Sequence, residues 1–490
     1  MKPEEYSNSR KFLIMFVGFV ETLLFSGVLF GWADLVYLMK LEGVFSSRCR
    51  EEYLTTANGT RICQEQDNLF DLAFTLVTFS KGSASILIGL LLDHFGLRIS
   101  RLLANVQVTT GWFLIGYSAK SNPYLLFPGC LLLGLGGSQI RMNNFLIANL
   151  FPSQRSSVIS LYNGAFCASA AIFLLAKFIY PYGFDVKTSC VSLAGLSGLM
   201  LIPTMFLLPV KTIETSDDDS PDIFDSSRIV SEKSSSIHKS ESAHFNVNTA
   251  KNNFEKSAIT TTKTKDYGST SENKSYAIKP DVHSLQQSFL SLDYLLHLIW
   301  SCVLGLGLAV YGGTFDHWVE SITDDVETVS NLIEWFGFCH IPMLLIAPLA
   351  GMWLDYGLNA AKKEDDPVKR IKMARSTVFW CLFLTTAVQL IQIICMFFNS
   401  VHIVYASLFI FIFNRPLVNA LSVVYLRICF PSKQFNCLLG ILGTTAAIFS
   451  LVQFPIFVWF GSDAFAANLL VVILIALCFS SPFNLLLKKT

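Results

Sequence analysis

Glu21, Lys81, Arg141 and Arg415 each stand within a long run of apolar residues. An ionised side chain in such surroundings is costly, about 2.5–3.5 kcal/mol at the centre of a bilayer on insertion scales, so each must meet a partner or line a wet cavity. Glu21 can hydrogen-bond a solute or take a proton. It can equally serve as a buried acid that ties helices together. Lys81 lies roughly 17 Å from either end of its run at 1.5 Å per residue. It cannot reach an interface, and Glu21 on the neighbouring run is its expected partner. Arg141 is followed by Asn144 at i, i+3, and Gln139 by Asn143 at i, i+4, so these pairs share helix faces. That face can line a cavity, unless Arg141 snorkels to the nearby end of its run. Arg415 precedes Pro416, with Asn419 one turn on. Proline frees a carbonyl and permits a kink, so Arg415 either faces a pore beside a hinge or satisfies that carbonyl. Asn163 and Gln453 offer donor and acceptor together, which suits a planar heterocycle and suits interhelical bonding equally well. Glu21, Arg141, Asn144, Asn163, Arg415, Asn419 and Gln453 are the candidate solute contacts. The aromatics Phe166, Phe173 and Phe449 read as packing.

The elements that position these groups follow from composition. Of 490 residues, 52% are hydrophobic and only 15% charged. A soluble chain carries about a quarter charged residues, and a spanning helix needs about 20 apolar ones. The pattern predicts an all-α membrane protein with spans near 12–39, 70–92, 101–119, 123–150, 156–180 and 186–209. After a polar stretch come spans near 293–312, 331–354, 375–398, 402–430, 434–460 and 465–487. This divides the chain into a six-helix bundle over 1–210, a disordered linker over 211–292 and a second six-helix bundle over 293–490. The linker is rich in Ser, Thr, Asp, Glu, Lys and Asn and has no sustained period. Its run Thr215-Ser216-Asp217-Asp218-Asp219 reads as a site for an acid-directed kinase acting at Ser216. Net charge is zero, which gives no basic surface for nucleic acid. There is no P-loop for ATP and no Cys-x-x-Cys or His-x-x-x-His pair for a metal, so neither an enzyme nor a cofactor is expected.

Lys and Arg placement sets the orientation. Lys362, Lys363, Lys369, Arg370, Lys372 and Arg375 crowd between spans 8 and 9, whereas Asp316, Glu320, Asp324, Asp325 and Glu327 crowd between spans 7 and 8. Both termini and the linker are therefore expected in the cytoplasm. The loop after span 1 then lies outside. It holds Cys49, Cys63 and the sequon Asn58-Gly59-Thr60. Cysteines flanking a sequon fit an oxidising compartment, and the pair is expected to form a disulfide beside a glycan on Asn58. Asn273-Lys274-Ser275 also fits the sequon but falls on the cytoplasmic side.

The two halves echo each other. Gly89-x-x-x-Asp93 closes span 2 and Gly351-x-x-x-Asp355 closes span 8; Phe151-Pro152-Ser153 ends span 4 and Phe430-Pro431-Ser432 ends span 10. Ala171-Ile172-Phe173 returns as Ala447-Ile448-Phe449. Parallel six-helix repeats of this kind describe the major facilitator architecture. Gly89-x-x-x-Asp93-x-x-Gly96-x-Arg98, followed by Arg101, resembles that superfamily's signature between helices 2 and 3. A carboxylate at a helix C-terminus opposes the dipole. Asp93 therefore needs Arg98 or the N-terminus of another helix, which the resemblance implies is helix 11, beginning near Gln434. Asp93, Arg98, Arg101 and Asp355 are accordingly expected to gate.

The resemblance narrows to solute carrier family 43, which holds large neutral amino-acid facilitators and an equilibrative nucleobase transporter. It rests on Glu21 through Gly31-Trp32, on Leu161-Tyr162-Asn163-Gly164-Ala165-Phe166 with Lys177 beyond, on Asn414-Arg415, and on Gln453-Phe454-Pro455-Ile456-Phe457. It implies a twelve-helix, alternating-access facilitator, multi-pass in the plasma membrane, whose partners are a small-molecule substrate and the lipid bilayer. The 161–166 segment and the length are similar to the nucleobase branch. Lys81, Gln139 and Arg141 depart from the family pattern. A large neutral amino acid is the alternative substrate, with Arg141 or Arg415 for its carboxylate and Glu21 for its amine. A non-transporting scaffold or receptor is the alternative from another class.

Overall fold

The structure is a computed structural model that describes residues 6–49, 54–55, 61–62, 64–118, 122–207, 285–323 and 325–487. Asn58, Cys63, Ser216 and Asn273 lie outside these residues, as do the expected glycan and kinase sites and the expected partner of Cys49, which itself is disulfide-bonded. Nearly all of the expected linker lies outside them too, although its last part contains a short helix, Leu285–Phe289.

Polar residues at the ends of the apolar runs start the helices by accepting from otherwise unpaired backbone N–H groups. Ser7 accepts from Arg10 N at 3.4 Å, Asp185 from Thr188 N at 2.8 Å, Ser291 from Tyr294 N at 3.2 Å and Asp463 from Ala466 N at 3.0 Å. Asp366 accepts from Val368 N at 3.0 Å, ahead of a helix that opens on Pro367; proline there lacks only an N–H that would have no intrahelical partner.

Among the described residues, nine spans are long and apolar enough to cross a bilayer unaided: Asn8–Leu41, Pro123–Leu150, Pro152–Tyr182, Val186–Phe206, Leu292–Ile322, Pro367–Cys395, Val401–Cys429, Phe435–Ser462 and Ala464–Leu487. Two bent pairs supply the rest. Glu327–Phe338 and Met343–Lys362, at 46° to each other, make the eighth span. Asn68–Ser83 meets Ser85–Gly116 at 42°, and Gly96, at φ 78° and ψ 177°, splits the latter helix. Only glycine takes that backbone conformation readily. The chain thus turns there from the second span into the third, completing the expected twelve. Leu54–Thr55 pairs antiparallel with Arg61–Ile62 in the first loop. The seventh span corrects its expected end at 312. It continues to Ile322, so Asp316 and Glu320 ride on its last turns instead of the following loop. The apolar run 303–311 supplies enough helix to carry these polar turns beyond it.

Two large buried apolar clusters organise the described residues, beside a small one of Leu358, Ala361 and Ala374. One joins Phe25, Leu35, Trp112 and Phe173 within one end of the first bundle. The other runs from Ile14, Leu92, Phe145 and Tyr162 of the first bundle straight into Tyr311, Met343, Phe411 and Leu438 of the second. The bundles therefore share one core, at the end where it also takes in Tyr6 and Leu485. At the opposite end the first bundle keeps a core of its own.

Candidate functional site

The shared end is closed by two matched latches. Asp355, expected at the end of the eighth span, lies two turns before it because the helix continues to Lys362; it accepts from Ser156 N at 3.0 Å, Ser157 N at 2.7 Å and Ser157 Oγ at 2.6 Å. These donors open the helix Arg155–Ala168 of the fifth span, whose first N–H groups and dipole favour an anion. Asp93, at the end of the second span, accepts from Asn436 Nδ2 at 2.7 Å, in the first turn of the eleventh. The glycine four residues before each aspartate permits the approach. A Cβ on Gly351 would meet Ser156 O at 2.5 Å, and one on Gly89 would meet Asn436 O at 2.6 Å. Asn359 Nδ2 donates to Ser153 O at 2.7 Å, and Arg427 of the tenth span donates to Asn149 at the end of the fourth. Arg98 Nη2 donates to Met205 O at 3.1 Å, tying the second–third turn to the end of the sixth span.

Glu21 does not meet Lys81. It forms an ion pair with Arg101, and both are buried, at 1% and 2% exposure. Arg101 also donates to Asn144 Oδ1. Asn144 Nδ2 in turn donates to Gly18 O and Thr22 Oγ1, both at 2.9 Å. Arg101, grouped by sequence with the gate, thus turns into the first bundle and locks spans 1, 3 and 4 together. The reason is register: the third helix begins just after Gly96, so Arg101 sits inside it on the face that meets Glu21. Glu21 and Asn144 belong to this lock, and no face of Glu21 is open to a solute.

A different cluster occupies the centre. The first span is interrupted there, as Asn8–Phe25 gives way to a 3₁₀ turn over Val28–Gly31. Gly27 and Gly31 press against the backbone of Phe166 and Ala170, too close for any side chain, at 2.1 and 2.2 Å to a built Cβ. The interruption presents Phe30 edge-on to Phe166 of the fifth span, ring centroids 5.3 Å apart. Three cations converge on this ring pair from three spans. Lys81 Nζ lies 4.1 Å from the Phe30 centroid and 5.8 Å from that of Phe166. Arg141 Cζ lies 4.1 Å over Phe166. Arg415 Cζ lies 5.0 Å from Phe30 and 5.8 Å from Phe411. The ring faces attract the cations. All three cations lie deep within the molecule, yet each keeps part of its surface accessible. The cluster is therefore not sealed off from a solute.

His340 completes the cluster. Its Nδ1 lies 3.1 Å from Gly337 O and must donate there, so Nε2 carries the lone pair that accepts from Arg415. Asn419 Nδ2 donates to Arg415 O at 3.0 Å and lies 3.7 Å from Cys167 Sγ. Asn163 is fully buried and donates to Ile159 O at 3.0 Å in its own helix, leaving Oδ1 buried and without a partner. Gln453 opens the second half of the eleventh span, after a break at Leu451–Val452, and is half-buried. Phe166 departs from its packing role because two cations use its face. Phe173 keeps that role, 5.6 Å from Trp112 in the first bundle's own core. Lys177 lies 3.5 Å from Asp34, joining the fifth and first spans.

The site thus brings together Arg141, Arg415, Asn419 and Lys81 of the expected groups and sets Glu21 and Asn144 apart. Sequence reasoning missed Phe30 and His340. Phe30 carried one signal, since it sits between Gly27 and Gly31 in an otherwise apolar helix; His340 stands alone before Pro342 and carried none.

Comparison with known proteins agrees with this architecture. The family model of the Major Facilitator Superfamily matches residues 66–357. The chain is 27% identical over 486 residues to equilibrative nucleobase transporter 1 of Bos taurus, covering 95% of this chain and 94% of that one. It is 24% identical to large neutral amino acids transporter small subunit 3 of Homo sapiens, covering 89% and 86%. The solved proton:xylose symporter XylE superposes with a TM-score of 0.62 at 13% identity, covering 98% of this chain and 96% of that one, a likeness of fold. Homologues and fold are those of transporters, and the chain is a multi-pass integral membrane protein. With two six-helix bundles that meet across paired latches, it belongs to the Major Facilitator Superfamily.

Proposed function

We propose that the protein is a facilitative, ion-gradient-independent carrier of small planar, purine-like solutes, working by alternating access. The observation that carries this reading is the central ring pair with its three cations, placed where the first and fifth spans are interrupted and closed from one end by the Asp93 and Asp355 latches. Facilitators bind at such breaks near the midplane. Flat rings suit a flat solute, and the likeness to the bovine nucleobase transporter points the same way. The large neutral amino-acid reading loses its amine partner, because Glu21 is engaged by Arg101.

Proteoliposomes without an ion gradient test the reading. Labelled adenine, xanthine, urate and leucine are offered in turn. At least one purine is expected to equilibrate across the membrane and to enter faster against the same purine preloaded inside. Entry of leucine alone would establish the amino-acid reading, and entry of none would leave a scaffold.

We infer from the positive-inside bias of the basic loops that the closed end faces the cytoplasm, and from the likeness to solute carriers that the membrane is the plasma membrane. Cys49 and Cys63 would then pair outside, beside a glycan on Asn58. Asn58→Gln is expected to remove the whole glycan mobility shift on a denaturing gel. A residual shift that disappears with Asn273→Gln would reverse the orientation.

A further inference from the structure

The charge of the central site is not that of a site for a neutral solute. Lys81, Arg141 and Arg415 come from spans 2, 4 and 10 and gather on the one Phe30–Phe166 ring pair. Among the described residues, no carboxylate forms an ion pair or hydrogen bond with any of them. The buried acid of the first span, Glu21, is paired with Arg101. His340 offers Arg415 only a neutral lone pair. Arg141 Nε is buried without an acceptor. The ring faces of Phe30 and Phe166 soften this charge but cannot cancel it, because a quadrupole is no counter-ion. Two guanidinium charges with a lysine beside them, and no carboxylate paired with them among the described residues, favour an anion over a neutral ring.

We propose that the solute is a planar conjugated monoanion. Its ring packs against Phe30 and Phe166, and its delocalised charge lies among Arg141, Arg415 and Lys81. Two sources share that chemistry: an ionised oxypurine and an aromatic carboxylate. The guanidinium forks of Arg141 and Arg415 suit either, since both present paired in-plane oxygen or nitrogen acceptors. The proposal rests on the central site being the solute site. It therefore excludes cationic solutes and ranks ionised purines above adenine.

The test is direct binding to the purified full-length protein at pH 7.4, which does not depend on transport. Labelled urate and benzoate are the anionic probes, and adenine and benzamide their uncharged counterparts. At least one anion is expected to bind ten-fold or more tightly than its counterpart. Arg141→Gln is expected to lower that affinity at least ten-fold, and Arg141→Lys less. Thermal unfolding of each variant shows whether it is folded. Urate against benzoate identifies the source. Equal or tighter binding of adenine and benzamide would overturn the proposal, as would the absence of saturable binding of both anions to the folded wild type. Binding of an anion without uptake into proteoliposomes would instead count against the carrier reading and leave the anion site standing.

Discussion

Glu21→Gln is expected to destabilise the protein by about 3–5 kcal/mol, the cost of leaving one member of a buried ion pair without its partner. Arg101 would keep Asn144 as an acceptor but lose its counter-charge at a position only 2% exposed. Glutamine fits the same space, so packing does not confuse the result. The double variant Glu21→Gln with Arg101→Gln removes both charges and should recover most of the loss, since the pair as a unit contributes little net stability. Thermal unfolding of the purified protein measures both. Folded Glu21→Gln should retain the wild-type KM, because Glu21 presents no surface to a solute. An unchanged unfolding temperature together with an altered KM would make Glu21 a solute contact after all.

Asp355→Asn is expected to open the latched end. Asp355 accepts three hydrogen bonds, two of them from the first N–H groups of a helix. An amide in its place has one oxygen, no charge for the helix dipole, and an NH₂ that faces backbone N–H groups. Hydrogen bonds to a charged group contribute about 1.5–3 kcal/mol each. A net loss of about 2 kcal/mol shifts the balance of the two open states roughly thirty-fold. Asp93 has one side-chain donor, Asn436. Asp93→Asn should therefore shift the balance less, by roughly five-fold for about 1 kcal/mol. The readout is the labelling rate of a cysteine introduced at Ser156, whose side chain is buried in the closed interface. Labelling should rise for both variants, more for Asp355→Asn, with solute affinity unchanged because the latches lie near the ends of the spans. Unchanged labelling with lost affinity would overturn this division between latch and cavity.

Much of the fold was legible because its determinants are local. Apolar runs of membrane length need no partner to be recognised. Gly96 marks the turn between spans 2 and 3 through its own backbone conformation. The paired Gly-x-x-x-Asp segments disclosed both the repeat and the latches, because each combines a close approach with a charge in one short stretch. The pairing of buried charges was not legible. Both Lys81 and Arg101 stand within reach of Glu21 by sequence count, and the choice is made by the direction each helix face takes after packing. Lys81, Arg141 and Arg415 meet because spans 2, 4 and 10 converge, a relation spread over more than three hundred residues. His340 reaches Arg415 across two spans of the second bundle, and nothing in its neighbours' spacing announces that contact.

The central claim is that solute crosses only if the latched end opens. Asn359 Nδ2 and Ser153 O, from opposite bundles, are 2.7 Å apart in the closed end. A disulfide between Ser153→Cys and Asn359→Cys would hold it shut. Uptake of the carried purine into proteoliposomes is expected to stop when this pair is oxidised and to return on reduction, while each single variant transports under both conditions. Full uptake by the cross-linked protein would contradict alternating access.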